Sequence, residues 1–230
     1  GSAVLPATEA QWSPTITKTV FLNHGFVAAS RRNCPIAKSE YFTAPDRLAR
    51  DGFDAGSVNI VEPVAAARDQ LSQRFAVAVA GSVGELAAIG DVVVLAVKPQ
   101  QMREAAGAIK TLVAGSLVLS IAAGTRLTDL QRWLGGHALL ARCMPNTPAL
   151  VGLGQTGLFA RSAVTPADRA WVEQVIATTG AYLWVAQEPL LDAVTAISGS
   201  GPAYVFFFIE AMVEAGVQMG LSAEQAKQLA

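Results

Sequence analysis

The chain has 230 residues, of which 52% are hydrophobic and 15% charged, and its formal net charge at pH 7 is −1. This composition is typical of a compact protein and excludes a disordered one, and the length is sufficient for one large and one small domain. The sequence contains no basic block, which argues against nucleic acid or an anionic membrane as a partner.

Cysteine and histidine are too few and too dispersed to indicate a metal site or a disulfide framework. Cys34 and Cys143 are the cysteines of the chain, and His24 and His137 are its histidines. They form neither a Cys-x-x-Cys pair nor a Cys/His cluster, so we predict no structural zinc, no other metal and no disulfide.

The N-terminus indicates where the protein is located, and the apolar C-terminal part indicates which partners it has. The leading Gly-Ser resembles the remnant of a tag, and no basic segment followed by an apolar one indicates secretion, so we expect a cytoplasmic protein. The longest apolar run, 202–209, ends at Glu210 and falls short of the roughly 20 apolar residues of a membrane span. A helix that is apolar on nearly all sides must be covered. We therefore expect self-association as a dimer or a higher oligomer, and no membrane partner.

Strands and helices are predicted to alternate through the first part of the chain. The segment 91–97 is a continuous run rich in β-branched residues, which is typical of a central parallel strand buried on both faces. The alternation predicts right-handed crossovers and a Rossmann-like, doubly wound α/β sheet. The predicted strands are 19–22, 57–62, 76–80, 91–97, 116–121 and 138–142, and the predicted helices are 65–75, 83–89, 101–114 and 127–134.

The pattern changes after residue 147. A strand over 156–159, a helix over 166–179 and a strand over 181–185 are predicted, and beyond 187 every signal is helical. Residues 222–225 form a capping box, which opens a further helix. Because the sequence ends about two turns into this helix, we expect the C-terminal domain to be truncated.

The turn after the first strand departs from the dinucleotide-binding pattern. That pattern, Gly-x-Gly-x-x-Gly/Ala, aims backbone N–H groups at a pyrophosphate. Gly25 and Ala28 fit its second and third positions, whereas Asn23 occupies the first. Asparagine tolerates left-handed backbone, so we expect a remodelled phosphate loop. Its predicted cofactor-binding residues are Asn23, His24, Gly25, Phe26 and Val27.

Glu62 is the candidate for the acidic residue that normally binds the ribose hydroxyls of NAD. It lies about 40 residues after Asn23, whereas the usual spacing is about 20. The excess falls in 31–46, where an inserted loop and a foreign N-terminal region are both open explanations. Arg32 and Arg68 would offset the charge of Glu62 if the ribose carried a 2′-phosphate. The alternative role of Glu62 is a surface carboxylate at a strand end.

Small and polar residues follow three successive predicted strands. Ligands of open α/β sheets bind beyond the carboxyl ends of the strands, and small residues there leave room for a flat ring. The alternative roles are a solvated strand end for Lys98 and a simple turn residue for Asn146. The candidate residues are Ala96, Val97, Lys98, Pro99, Ala122, Gly124, Met144 and Asn146.

A segment of glycine and serine precedes the apolar C-terminal helix. Ser198, Gly199, Ser200 and Gly201 lead into Pro202, which suits the first position of a helix. We predict a polar turn set against a buried helix, able to hold a small molecule. The alternative is an ordinary helix start after a loop.

Four segments, in order along the chain, resemble the pyrroline-5-carboxylate reductase family. They are VVVLAVKPQ (92–100), SIAAG (120–124), RCMPNTPA (142–149) and the stretch from Ser198 to Leu221. The resemblance covers roughly 57–230 and implies a Rossmann-like domain followed by an all-helical dimerisation domain. We accordingly divide the chain into a tag and N-terminal extension (1–16), a dinucleotide-binding domain (17–186) and the start of a helical dimerisation and substrate domain (187–230).

The resemblance implies reduction of the cyclic imine Δ1-pyrroline-5-carboxylate to proline with NADPH or NADH, the last step of proline biosynthesis. Val97, Lys98 and Pro99 would contact the cofactor, Asn146 would lie near its nicotinamide and ribose, and Ser200 and Gly201 would line the substrate pocket. The cofactor supplies the hydride and the protein supplies proximity and orientation, so no catalytic side chain is assigned. The family's Ser-Pro-Gly-Gly-Thr-Thr-like segment does not occur, so we expect part of the substrate site to be missing.

Two other functions are open. The irregular turn at Asn23, the segment 31–46 and the missing tail suit a catalytically silent relative that acts as a dimerising module. A related β-hydroxyacid or imine reductase with another substrate would usually carry a lysine on the helix after the sheet. Tyr204 and Glu210 occur on that helix instead, which argues against this second alternative.

Overall fold

The computed structural model of the protein describes residues 19–23, 58–75, 77–86 and 89–230. The predicted phosphate turn at 24–27, the segment 31–46 and Cys34 lie outside the described residues. Within the described part, an 8-stranded sheet has helices on both faces and is followed by a helical C-terminal part. The Rossmann-like fold and the helical C-terminal part predicted from the sequence are confirmed.

The strand order of the sheet is β3-β2-β1-β4-β5-β6-β7-β8. The strands from β3 to β6 are parallel, β7 runs antiparallel to β6, and β8 is parallel to β7. The order reverses between β1 and β4, which is the doubly wound arrangement of dinucleotide-binding folds. The strands are β1 (Thr19–Asn23), β2 (Val58–Val61), β3 (Ala78–Ala80), β4 (Val92–Ala96), β5 (Leu117–Ser120), β6 (Leu140–Met144), β7 (Gly154–Ala160) and β8 (Gly180–Trp184).

Seven α-helices accompany the sheet in the described residues. They are α1 (Ala65–Phe75), α2 (Met102–Ile109), α3 (Leu127–Trp133), α4 (Pro166–Ala177), α5 (Leu190–Val194), α6 (Gly201–Gln218) and α7 (Ala223–Leu229). Short 3-10 turns lie at Val83–Glu85, Pro99–Gln101 and Thr147–Val151, and one π turn at Thr195–Gly199 links α5 to α6.

Two helix predictions were wrong in extent. The helix expected over 83–89 is only a 3-10 turn, because the Glu85 carboxylate accepts hydrogen bonds from Gly81 N (2.9 Å) and Ser82 Oγ (2.9 Å) and closes a short loop. Leu86 is then extended. The helix expected over 101–114 ends at Ile109, and Gly115 takes a left-handed backbone (φ 87°) before β5 begins.

The central strand β4 is buried on both faces, as predicted. Val92 and Val94 belong to the hydrophobic layer under α1 and α4, whereas Val93 and Leu95 belong to the layer under α2 and α3. Each such side chain contributes about 1.5–3 kcal/mol when it is fully removed from water. Burial on both faces fixes the register of β4 and therefore the position of the residues that follow it.

The C-terminal helices pack on the edge of the sheet through β7. A Cβ built at Gly157 would lie 2.8 Å from Val194 Cγ1 and 3.1 Å from Leu191 Cδ2, so the glycine allows α5 to rest directly on the strand. The polar turn predicted at Ser198, Gly199, Ser200 and Gly201 is wrong. These residues are helical, because their backbone groups bond within the chain, as from Ser200 N to Thr195 O (2.8 Å).

The apolar helix α6 is exposed in the single chain, so the cover that the sequence predicted for it is not supplied by the chain itself. Phe207 is 74% exposed and Tyr204 60% exposed, and Val205, Phe206 and Phe208 are exposed as well. By length and composition alone, the continuous helical stretch Leu190–Gln218 (29 residues, mean hydropathy 1.4) is sufficient to cross a membrane. The sequence-based estimate, which counted only 202–209, missed this length. A surface of this size needs a cover, either a partner or lipid.

Candidate functional site

The carboxyl ends of four parallel strands meet at one edge of the sheet. Asn23 at the end of β1 pairs with Ala96 at the end of β4, and Ser120 at the end of β5 lies opposite Leu95 and Arg142. The strand order reverses between β1 and β4, and the carboxyl edge at such a reversal is where open α/β sheets bind their ligands. The candidate residues after β4, β5 and β6 therefore share one edge, as the sequence predicted.

The segment after β4 turns sharply back over the sheet. Val97 is buried, Lys98 is half-buried, and Pro99 opens a 3-10 turn in which Gln101 N donates to Lys98 O (2.9 Å). The side-chain oxygen Oε1 of Gln101 is buried without a hydrogen-bond partner among the described residues. A buried acceptor of this kind is usually satisfied by a bound group or by water, which fits a ligand with hydroxyl or amide donors.

The segment after β5 leaves open space. Ala122 is buried and its N–H donates to Ser120 Oγ (3.3 Å), while Ala123 and Gly124 are exposed. Gly124 has a left-handed backbone (φ 73°), and a Cβ built there would meet nothing within 4 Å. Ala122, Ala123 and Gly124 therefore present only backbone and methyl groups after β5, and the space beside Gly124 is open.

Asn146, after β6, is more than a turn residue. Its Nδ2 donates to Ser198 Oγ (3.1 Å), its Oδ1 accepts from Gln155 N (2.9 Å), and Ser198 Oγ donates to Gln155 O (3.1 Å). The side chain is buried and ties the end of β6 to β7 and to the π turn. Met144 Cε would lie 2.8 Å from a Cβ at Gly199, so the two segments are also in direct contact.

The candidate substrate residues stand next to this junction. Ser200 and Gly201 are half-buried at the start of α6 and directly follow Ser198 and Gly199, which contact Asn146 and Met144. A Cβ at Gly201 would meet nothing within 4 Å. The structure thus brings the start of α6 to the end of β6, with free space beside Gly201.

Glu62 is buried at the end of β2, so the alternative of a surface carboxylate is wrong. Only 1% of the residue is exposed, and its Oε1 accepts a hydrogen bond from Val64 N (2.8 Å). Arg68 does not serve as a free counter-charge, because its Nη1 donates to the carbonyl oxygens of Glu62 and Pro63 (2.8 Å each). Arg68 thereby closes the loop after β2, and Arg32 lies outside the described residues.

Of the predicted phosphate loop, only the first residue, Asn23, lies in the described range. Asn23 is the last residue of β1 and pairs through its backbone with β4, whereas His24, Gly25, Phe26 and Val27 lie outside the described residues. Their role in cofactor binding therefore stays a prediction.

An ion pair that the sequence did not reveal lies behind the strand ends. Arg142 in β6 is buried, and its Nη1 lies 3.2 Å from Glu188 Oε1, an atom that also accepts from Leu127 N (2.7 Å) at the start of α3. The paired residues are 46 positions apart, so no local motif could have identified them. An arginine inside an otherwise apolar strand was the only available signal.

Titratable groups near the sheet carry structural roles. Burial raises the pKa of the Cys143 thiol far above its usual range, so this cysteine is an inert core residue.

In the part of the chain that the structure describes, no group of three or more His, Cys, Asp or Glu residues is arranged to hold a metal ion. The chemistry that fits this edge is the binding of a nucleotide cofactor against backbone and small side chains.

Comparison with known families identifies two matching regions. A profile described as pyrroline-5-carboxylate reductase dimerisation matches residues 188–230, and one described as NADP oxidoreductase coenzyme F420-dependent matches residues 45–124. The first region contains the exposed helix α6 and supports self-association through it. The second contains β2 to β5 and the strand ends after β4 and β5.

Individual relatives agree with both regions. The pyrroline-5-carboxylate reductase of Pseudomonas aeruginosa is 42% identical over 183 residues, covering 79% of this chain and 67% of the relative. That of Escherichia coli is 43% identical over 170 residues, covering 74% and 61%.

Solved structures give the same result. The structure of a pyrroline-5-carboxylate reductase from Coxiella burnetii is 30% identical to this chain, with a TM-score of 0.78. The match covers 93% of this chain and 75% of the Coxiella chain. The Plasmodium falciparum pyrroline carboxylate reductase with NADP bound has a TM-score of 0.73 and 28% identity, with coverage of 93% and 74%. The doubly wound sheet, the helical C-terminal part and these relatives agree: the chain belongs to the pyrroline-5-carboxylate reductase family.

Proposed function

We propose that this protein reduces Δ1-pyrroline-5-carboxylate to proline with a nicotinamide dinucleotide, the last step of proline biosynthesis. The observation that carries the proposal is the set of parallel strand ends beside α6, in a chain that is 42% identical to a pyrroline-5-carboxylate reductase. The relative with NADP bound supports NADPH as the cofactor, and NADH is the alternative. A catalytically silent module is not favoured, because the named relatives are reductases.

We propose that the residues after β4, β5 and β6 bind and orient the cofactor. Lys98 is half-buried at the carboxyl edge of the sheet, at reach for a phosphate or ribose, and the free space over Gly124 suits a flat ring. A bound nicotinamide would supply the hydride. The remaining proposed cofactor contacts are Asn23, His24, Gly25, Phe26, Val27, Glu62, Ala96, Val97, Pro99, Ala122, Met144 and Asn146.

We propose that Ser200 and Gly201 border the substrate pocket at the start of α6. Their neighbours Ser198 and Gly199 contact the residues after β6, so a small cyclic imine beside Gly201 would lie close to the ring over Gly124. Holding the two reactants together in this way lowers the barrier by proximity and orientation. Protonation of the imine nitrogen makes its carbon electrophilic, so a substrate that binds already protonated needs no general acid from the chain.

We propose that the self-associating unit is at least a dimer formed through α6. Its exposed aromatic side chains occupy the region matched by the dimerisation profile. A partner helix would cover them and relieve the cost of exposing a large apolar surface. The cytoplasmic location expected from the sequence stays a prediction.

A direct assay tests the function. Purified protein is mixed with pyrroline-5-carboxylate and either NADPH or NADH, and oxidation of the nicotinamide is followed by its absorbance. We expect turnover with proline as the product, and raised thermal stability with the preferred nicotinamide, because a ligand that binds only the folded state stabilises it. Binding of nicotinamide without turnover would contradict the reductase and support a silent relative.

A further inference from the structure

The carboxylate of Glu188 joins three parts of the fold with a single oxygen atom. Its Oε1 accepts a hydrogen bond from Leu127 N at 2.7 Å and lies 3.2 Å from Nη1 of Arg142. Leu127 is the first residue of α3, Arg142 is in β6, and Glu188 lies two residues before the start of α5. The carboxylate therefore links the helical C-terminal part to two elements of the sheet domain.

Because this ion pair is buried, Arg142 needs a negatively charged partner within the fold. The side chains of Arg142 and Glu188 are 3% and 16% exposed, and Nε of Arg142 has no partner among the described residues. A buried guanidinium that loses its carboxylate is left uncompensated, which is far costlier than the loss of an exposed ion pair. The surrounding segments must then shift to restore its solvation.

Both elements held by Glu188 lead into the candidate site. Leu127 lies three residues after Gly124, and Arg142 lies two residues before Met144 in the same strand. Few residues separate Gly124 from Leu127 or Arg142 from Met144, so little backbone lies between them that could absorb a displacement of Leu127 or Arg142. We therefore expect a change at Glu188 to alter the surface beside Gly124 and the junction between Met144 and Gly199.

We infer that Glu188 is a positioning residue for hydride transfer. Its carboxylate sets the spacing between the segment that follows β5, the end of β6 and the start of the helical part that carries Ser200 and Gly201. This inference rests on the proposed function. It differs from that function in assigning the alignment of the two reactants to an ion pair that touches neither of them.

The test compares Glu188→Ala, Glu188→Gln and a matched control in the intact protein. Glutamine keeps an oxygen for Leu127 N but loses the charge that faces Arg142. Glu173→Gln is the control, because Glu173 is also a part-buried carboxylate with an N–H donor, Trp184 Nε1 at 2.6 Å, but it lies on α4. Single-turnover mixing with saturating NADPH and pyrroline-5-carboxylate gives two separate quantities. They are the rate constant of hydride transfer and the amplitude of the nicotinamide absorbance change.

We expect Glu188→Ala to lower the single-turnover rate constant by about tenfold or more, since small misplacements of reacting groups cost factors of this size. Glu188→Gln should recover part of the loss, and Glu173→Gln should keep the wild-type rate constant. A merely structural role would reduce the amplitude, which counts active molecules, and leave the rate constant unchanged. That result would overturn the inference.

Hydrogen exchange provides a readout that does not depend on activity. Backbone amides of residues 121–127 should exchange about tenfold faster in Glu188→Ala, and the increase should be smaller in Glu188→Gln. Unchanged exchange in Glu188→Ala would overturn the inference even if turnover fell. If the wild-type protein transferred no hydride to pyrroline-5-carboxylate, the proposed function would fail, while the exchange data would still decide whether Glu188 fixes this segment.

Discussion

Asn146 uses both ends of its side-chain amide within the protein. One end donates to Ser198 and the other accepts from Gln155, and the residue is only 9% exposed. The family resemblance assigned Asn146 to the nicotinamide, whereas its contacts within the chain join β6, β7 and the π turn. Both roles are compatible, because a residue that is fixed by protein contacts holds the adjacent backbone still for a ligand.

A double-mutant cycle tests the link between Asn146 and Ser198. Asn146→Ala and Ser198→Ala should each lower the free energy of unfolding by about 1–3 kcal/mol, because each leaves a buried polar partner unsatisfied. The double variant should cost about 1 kcal/mol less than the sum, since the two residues interact directly. Urea unfolding measures all four proteins. Ser72→Ala on the exposed side of α1 is the control, and an additive cycle would contradict the contact.

At the scale of elements, Gly157 sets how closely α5 approaches β7. A Cβ at this position would lie within 3 Å of both methyl groups of Val194. The contact fixes the angle at which the helical part leaves the sheet, because α5, the π turn and α6 follow one another without a loop. This contact, the links at Asn146 and Glu188 and the contact between Met144 and Gly199 join the sheet domain to the helical part that carries Ser200 and Gly201.

Gly157→Ala is expected to separate α5 from β7. Overpacking of this kind costs about 1–3 kcal/mol of unfolding free energy, and it should also weaken turnover because α6 starts from the displaced helix. Gly107→Ala is the matched control: a Cβ at Gly107, in α2, meets nothing within 4 Å, and alanine favours a helix, so stability should rise by about 0.5–1 kcal/mol. Thermal unfolding compares the two variants. Equal behaviour would show that α5 can move without strain.

The elements that were predictable from the sequence are those governed by burial. The apolar run of β4 and the alternation around it are sufficient to predict the sheet, and the rule that ligands bind at the carboxyl ends of strands locates the edge of the site. The π turn was not predictable, because serine and glycine locally favour turns. Its helical form depends on contacts with Met144 and Asn146, which are remote in sequence. The ion pair of Arg142 and Glu188 was hidden for the same reason.

At the scale of the whole molecule, α6 combines an almost wholly apolar sequence with almost complete exposure. Its aromatic side chains cluster at Tyr204 and Phe206 to Phe208, and Glu210 and Glu214 are the charges that follow them on the helix. Lipid would have to accommodate these carboxylates, which is expensive within a bilayer. A second copy of the chain would cover the aromatic surface without placing these carboxylates in lipid. The match of 188–230 to a dimerisation profile supports this second arrangement.

Phe207→Glu should weaken self-association while leaving the single chain folded. Phe207 is 74% exposed, so the fold of one chain loses little, whereas a charge inside an apolar interface should weaken assembly by at least about 2 kcal/mol, or roughly 30-fold in Kd. Leu112→Glu is the control, because Leu112 is an exposed apolar residue (44%) just after α2 and outside the region matched by the dimerisation profile. Sedimentation velocity in detergent-free buffer distinguishes the species. A Phe207→Glu protein that stayed in the wild-type oligomer would exclude α6 as the interface, and wild-type protein that sedimented only with added vesicles would favour a membrane instead.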